Sequence, residues 1–513
     1  MNKIYRILFL AAAILAFGSC TKNFEKYNTD PYAVQKEDPS ILLPTMIDAL
    51  MYVQQNDSQM IDQMVGTLGG YFTLANRWGG QNFDTFNASD SWNAIPFNTP
   101  FEDIFGNFFN IEEVTEGSGH WYAFARLVKA AAMMRVADCY GPIPYSKVRK
   151  GFMYVEYDSN EEVYQNIIDD LSDAADILYA YYLAYPSSKP LGSSDLIYGG
   201  DYSLWAKLAN SYILRAAVRS GNREAALAAI GSPAGLITEN SQNALMDPGI
   251  QTNPYQLASI SWGELRAGAS IVDYMTGYND PRAEQYFTKS AFAGATDRFI
   301  GMRSGSESFD RANVAGYSMP KLAEKSKLPV FLAAETQFLL AEAALNGWIS
   351  DDPRTLYEAG IKLSMEQYGI ASSSIAAYIE DNTSVPASHE NDPGPAGVNT
   401  SYNRKTTVKI AWDDAASDAE KLEKIITQKW IANWQLGIEA WTEYRRTGYP
   451  ELCPVIDNLS GGTISASNES RGLRRLRYPY TERDLNSSNC QNAVNSYLGG
   501  KDDESTDLFW VKK

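Results

Sequence analysis

Residues 125–145 read ARLVKAAAMMRVADCYGPIPY, and the fold is decided there. From about residue 120 to 139 an Ala- and Met-rich pattern predicts a helix, and Gly141-Pro142 stops it because proline cannot continue the hydrogen-bond ladder. The same logic works outward. Upstream, Met60, Ile61, Met64, Val65, Leu68, Tyr71 and Phe72 fall on one helical stripe. Downstream, Ser159 and Glu162 are spaced as a capping box that opens a helix burying Val163, Ile167, Leu171 and Leu178. Residues 202–220 predict a further helix, closed by Gly221.

The C-terminal half repeats the theme. Residues 331–346 read as a helix ended by Gly347, and Asp352-Pro353 starts the next with a capping side chain and a proline at the first turn. From Ala333 to Glu366 this unit spans about 34 residues, the tetratricopeptide period. Ser417 and Glu420 make a second capping box, predicting one long helix through Trp430, Trp434 and Trp441 to Arg446. Residues 76–119, 183–200, 231–330, 376–416 and 452–513 read as irregular, and ordered loops of that length are usually functional. The expected fold is therefore mostly α, helical pairs carrying long irregular insertions.

The N-terminus speaks to location. Lys3 and Arg6 precede an uncharged apolar run from Ile7 to Phe17, shorter than the ~20 residues of a membrane-spanning helix. Residues 1–19 read as a signal peptide. Phe17-Gly18-Ser19-Cys20 resembles a bacterial lipobox, with Phe17 where Leu is usual, so Cys20 is the expected lipidation site. Residues 20–44 read as a polar spacer and 45–513 as the body. The formal charge of −18 becomes −20 once Lys3 and Arg6 are removed. Nucleic acid is excluded as a partner, because its binding rests on basic contacts to phosphate. Cys139, Cys453 and Cys490 leave both one disulfide and buried free thiols open.

The sequence carries no recognisable catalytic motif. His120 and His389 are the only histidines, and neither has a nucleophile motif nearby. Metal-binding Cys/His clusters and glycine-rich phosphate loops are missing, so no metal and no cofactor is expected. Most Asp and Glu read as helix starts and solvent faces. A glycosidase pair needs two carboxyls ~5–10 Å apart in space, a relation spacing does not give. The chain reads as a non-enzyme.

Aromatics are the informative excess, with 32 Tyr and 11 Trp. Trp121, Trp205, Trp430 and Trp434 lie at helical spacing and read as core. Others lie in irregular stretches. Arg77-Trp78 and Trp92-Asn93 flank the run GGQNFDTFNASDS (79–91), while Tyr255, Trp262, Tyr278, Tyr286 and Tyr317 punctuate 250–320. A ring can pin its own loop, or it can offer a flat face to a sugar while Asn or Arg hydrogen-bonds the hydroxyls. The ligand-binding candidates are Arg77, Trp78, Trp92, Asn93, Trp262 and Tyr286.

Asp138, Tyr140, Gly141, Pro144 and Tyr145 resemble the Asp-x-Tyr-Gly-x-x-Pro-Tyr signature of the SusD/RagB family of Bacteroidetes outer-membrane lipoproteins. The resemblance continues through Asn28–Pro31, Leu204–Arg219, Asn279–Arg282, Ala334–Ala344 and Gln428–Gly448, in family order over nearly the whole mature chain. It looks closest to the SusD-like branch, starch-binding associating with outer membrane. It implies four tetratricopeptide-like helix pairs, a non-enzymatic role, and a SusC-like TonB-dependent transporter as partner. It also implies an arc of aromatics with an Arg and an Asn holding oligosaccharide at the cell surface; Arg77, Trp78, Trp92 and Asn93 lie in the comparable region. Relatives that take peptide, or a protein that only gates the barrel, are the alternatives. Family members often carry an acidic run after the lipidated cysteine; here residues 21–26 are Thr-Lys-Asn-Phe-Glu-Lys, so outer-face exposure is implied by the family alone.

Overall fold

Helix ends are set locally, and a computed structural model places most of them where caps and glycines put them. It describes residues 37–151, 154–465, 467 and 471–512. The expected signal peptide, the Cys20 anchor and most of the spacer lie outside the described residues. The first helix, α1 (Pro39–Asp48), begins inside the expected spacer, capped by the Asp38 side chain and burying Leu42 and Leu43. No helix among the described residues is long and apolar enough to cross a membrane.

The scaffold follows as α2 (Asp90–Thr115), α3 (Gly119–Tyr140), α4 (Asn160–Ala184), α5 (Tyr202–Ser220) and α6 (Arg223–Gly231), each packed on its neighbour in the chain. The Ser159–Glu162 capping box opens α4 as expected, and Gly221 ends α5 in the left-handed region at φ 75°. After the short α7 (Ala269–Gly277) come α8 (Ala333–Leu345) and α9 (Pro353–Gln367), a helical hairpin of tetratricopeptide type. Then α10 (Ser372–Ile379), α11 (Asp418–Ala432), α12 (Gly437–Thr447), α13 (Tyr480–Leu485) and α14 (Ser487–Tyr497) complete the order. Helix α11 packs on α8 and α9, and α8 touches α5, joining the two halves. The fold is thus helical pairs with long insertions.

Three expectations of secondary structure are corrected. Residues 90–115, part of the stretch 76–119 read as irregular, form the 26-residue α2 despite Pro96 and Pro100. An interior proline costs about 3 kcal/mol. Burying Phe97, Ile104, Phe105, Phe108 and Ile111 returns about 1.5–3 kcal/mol each, and Phe97, Phe101 and Phe105 stack at 4.5 and 5.3 Å between centroids. The stripe from Met60 is not a regular α-helix. Ser58–Gln63 winds as a π-helix, Asp62 turns inward to Tyr52 N–H and Arg135, and Phe72 starts a strand.

The helix expected from Ser417 to Arg446 breaks at 433–436. Gln435 has φ 82°, and the Gly437 backbone lies against that of Gly66, where a Cβ would have no room. Gly437→Ala is therefore expected to lower stability by about 1–3 kcal/mol through overpacking, read as a lower urea midpoint.

Many of the carboxylates read as solvent-facing are not. Asp138, Glu335, Glu342, Glu439 and Glu443 are buried together with Arg215, Arg219, Lys429 and Arg446. Arg219 reaches Asp138 at 2.7 Å, Glu439, and Glu443 at 3.4 Å; Arg215 reaches Glu335 and Arg446 reaches Glu342, both at 2.7 Å. Burial opposes the charge on Glu443, and Arg446, Lys429 and Arg219 together outweigh it, holding its carboxyl well below the ordinary range. The 125–145 stretch is one corner of this lattice. Asp138 also accepts from Tyr164, Tyr140 donates to the Asn93 carbonyl, and Tyr145 donates to Asp170 at 2.6 Å. Gly141, at φ 88°, turns the chain where a side chain would strike Leu508.

Strands from the 231–330 region take part in two small antiparallel ladders. Strand β1 (Phe72–Leu74) pairs with β3 (Leu265–Ala267), and β2 (Ala244–Met246) with β4 (Leu328–Phe331). Cys139, Cys453 and Cys490 form no disulfide among the described residues.

His389, in a polar, proline-rich stretch, is only 3 % exposed. Its Nδ1 faces Asp273 at 3.2 Å and its Nε2 faces Asp392 at 3.0 Å. Arg404 and Cys453 also face Asp273, and Tyr317 donates to Asp392. Burial opposes the charged ring, but hydrogen bonds to both carboxylates prevail and lift the imidazole to about 9. A pKa raised above the unfolded value of ~6.5 means stability that is full below that pH and is lost as pH rises through about 9. Urea titrations between these pH values should show that loss in the native chain and a flatter profile in His389→Gln; parallel profiles would refute the assignment.

Candidate functional site

The β1–β3 ladder brings two distant aromatic segments together. Ala75 N–H donates to Glu264 O at 2.7 Å, and Asn76 Nδ2 to the Glu264 side chain at 2.9 Å. Arg77-Trp78 therefore leaves the ladder beside the segment carrying Trp262, which is half-buried at the end of the π-helical turn Leu257–Ser261. Trp92 sits in the first turn of α2, its N–H donating to the capping Ser89 hydroxyl at 3.3 Å. The Trp78 and Trp92 rings meet edge to face at 5.8 Å between centroids, both only partly buried against the core. Arg77 is half-buried and its Nε has no hydrogen-bond partner among the described residues.

The loop between these tryptophans is held by its own asparagines. Asn82 donates to Arg77 O at 3.1 Å and Asn87 to Gly80 O at 2.8 Å, while Asn87 Oδ1 accepts from Thr85 at 2.6 Å. Trp78 keeps φ at 37° within this framework. The loop borders an open groove of about 470 Å³ whose polar rim includes Gln81, Asn87, Ser89, Asp90, Ser460 and Arg477. Arg477 is fixed there by Asp90 at 3.0 Å and Glu504 at 2.6 Å.

Two expected ligand residues have other work. Tyr286 is 1 % exposed, stacked on Trp434 at 5.3 Å and 10°, with its hydroxyl on Ile431 O. Asn93 is buried and donates to Arg477 O at 2.7 Å. Tyr255, Tyr278 and Tyr317 are likewise buried, so of the five rings singled out in 250–320 Trp262 alone is half-buried. The sequence reading missed Ser460, Arg477 and Glu504, which come from the C-terminal stretch read as irregular; the spacing of polar residues there carried no signal of their position.

A helical scaffold that carries a half-buried tryptophan pair beside a polar groove has the features of a ligand-binding protein. The family model for SusD-like, Susd and RagB outer membrane lipoprotein, matches residues 22–511, and the chain belongs to that family. It is similar to a SusD-like protein from Bacteroides thetaiotaomicron, with 34% identity, 93% of this chain and 99% of that one covered, and a TM-score of 0.87. It is also similar to a SusD homolog from Bacteroides uniformis, at 34% identity, 93% and 100% coverage and a TM-score of 0.84. A chitin-binding SusD homolog from Flavobacterium johnsoniae aligns at 31% identity, 93% and 99% coverage and a TM-score of 0.86. A comparison with curated proteins found no match.

Proposed function

We propose that this chain is a cell-surface lipoprotein, anchored through Cys20, that captures oligosaccharides and passes them to a SusC-like TonB-dependent transporter without cleaving them. The observation that carries the reading is the half-exposed Trp78–Trp92 pair, with Trp262 and Arg77 beside it and a polar groove alongside. Sugars present an apolar C–H face and a hydroxyl rim, which suits ring surfaces flanked by a few fixed polar groups. Membership of the family and the chitin-binding relative support a glycan as ligand.

Titration calorimetry of the soluble body against chitin, starch, xylan, mannan and pectin oligosaccharides, with peptides alongside, tests this. Heat with one glycan class supports capture. Heat with peptides only would move the ligand class, and silence throughout would leave a partner that gates the barrel without holding ligand.

A further inference from the structure

A larger cavity lies elsewhere. It encloses about 1040 Å³ between the 402–416 loop, the first turns of α11 and the segment after α12. It shares no lining residue with the groove near Trp78 and Trp92. Its volume is at the upper end of the ~300–1,000 Å³ of small-molecule sites, so it exceeds what one sugar ring needs.

Four half-buried rings line it: Tyr402, Trp412, Tyr444 and Tyr449. Trp412 rests on Tyr357 at 5.3 Å between centroids, and its Nε1 is held by Asp414 at 3.0 Å. The cations on the wall are Lys405, Lys409, Lys424 and Arg471; they are matched by Asp413, Glu420, Glu423 and Glu451, so the cleft is electrically balanced. Several of these charges already have protein partners. Glu451 accepts from Tyr402 at 2.6 Å and from Thr406 N–H at 2.6 Å, Glu423 accepts from Thr406, and Arg471 pairs with Asp507 at 2.6 Å.

Lys424 is the unusual member. It is 6 % exposed, and its ammonium makes one hydrogen bond among the described residues, to Lys409 O at 2.6 Å. An ammonium carries three N–H donors, so two remain to serve a ligand. Burial also pushes this lysine below, and the adjacent Glu423 above, their ordinary values. Such a wall suits uncharged hydroxyls, which donate and accept, better than a ligand of net charge.

We propose that this cleft is a second saccharide-binding site, with Trp412 and Tyr449 as ring platforms and Lys424 and Glu423 as hydroxyl partners. The choice of saccharide rests on the function proposed above. The test titrates the oligosaccharide panel into four proteins: the unaltered body, the Trp78→Ala/Trp92→Ala double variant, Trp412→Ala and Lys424→Met. The expected result is that Trp412→Ala weakens a panel glycan by about tenfold, and that the double variant keeps a weaker binding step that Trp412→Ala removes. Amide exchange of the unaltered chain gives a readout independent of variant folding, and glycan should slow it in 402–412 and 444–452. Glycan binding untouched by either cleft variant, with no protection in those segments, would overturn the second site and leave the first standing. Peptide binding lost in Trp412→Ala would assign the cleft to peptide instead. No glycan binding by the unaltered body would overturn both readings.

Discussion

Arg219→Leu should lower the unfolding free energy by about 3–5 kcal/mol, the usual consequence of removing one member of a buried ionic group. The size follows from what stays behind. The Arg219 side chain is 1 % exposed and faces Asp138, Glu439 and Glu443, and leucine would leave three carboxylates sharing fewer cations without water to screen them. Lys429 and Arg215 still reach Glu439, which limits the loss. The urea midpoint of the soluble body measures it. The exposed pair Arg354–Glu358, equally short at 2.7 Å, is the control: solvent already screens it, so Arg354→Ala should leave the midpoint unchanged. Equal effects at both positions would contradict the account of the core.

The second large effect is on binding. Replacing Trp78 and Trp92 together by alanine should weaken the glycan identified by calorimetry by about a hundredfold, as expected for two ring anchors at the centre of a site. Neither ring is fully buried, so the double variant should keep its helical circular dichroism. The companion Tyr286→Phe, which removes only a buried hydroxyl bonded to Ile431 O, should cost stability and leave affinity intact. Unchanged glycan affinity in the double variant would move the site away from these rings.

Local signals carried the scaffold. The Ser159–Glu162 and Ser417–Glu420 capping boxes and the Asp352-Pro353 start are written within four residues and form as read. Non-local features were hidden. Glu335, Glu342, Glu439 and Glu443 look like solvent-face charges on their own helices; only the packing of α3, α5, α8, α11 and α12 gives them buried partners. Helix α2 is not legible locally: Pro96 and Pro100 disfavour a helix, while the buried Phe ladder that sustains it depends on what packs opposite.

The candidate site was legible in half. Trp78, Trp92 and Trp262 could be marked as rings in irregular stretches, but aperiodic segments give no sign of which side faces solvent. Tyr286, Tyr255 and Tyr317 turned inward for that reason. The β1–β3 ladder that gathers the site joins residues nearly two hundred apart, and no spacing rule foretells it.

The most direct measurement is a crystal structure of the soluble body soaked with the tightest-binding oligosaccharide. The account predicts an intact saccharide with at least one ring lying on the face of Trp78 or Trp92 and hydroxyls toward Arg77 or the groove rim. A shortened saccharide, or one ordered only where neither ring touches it, would contradict it.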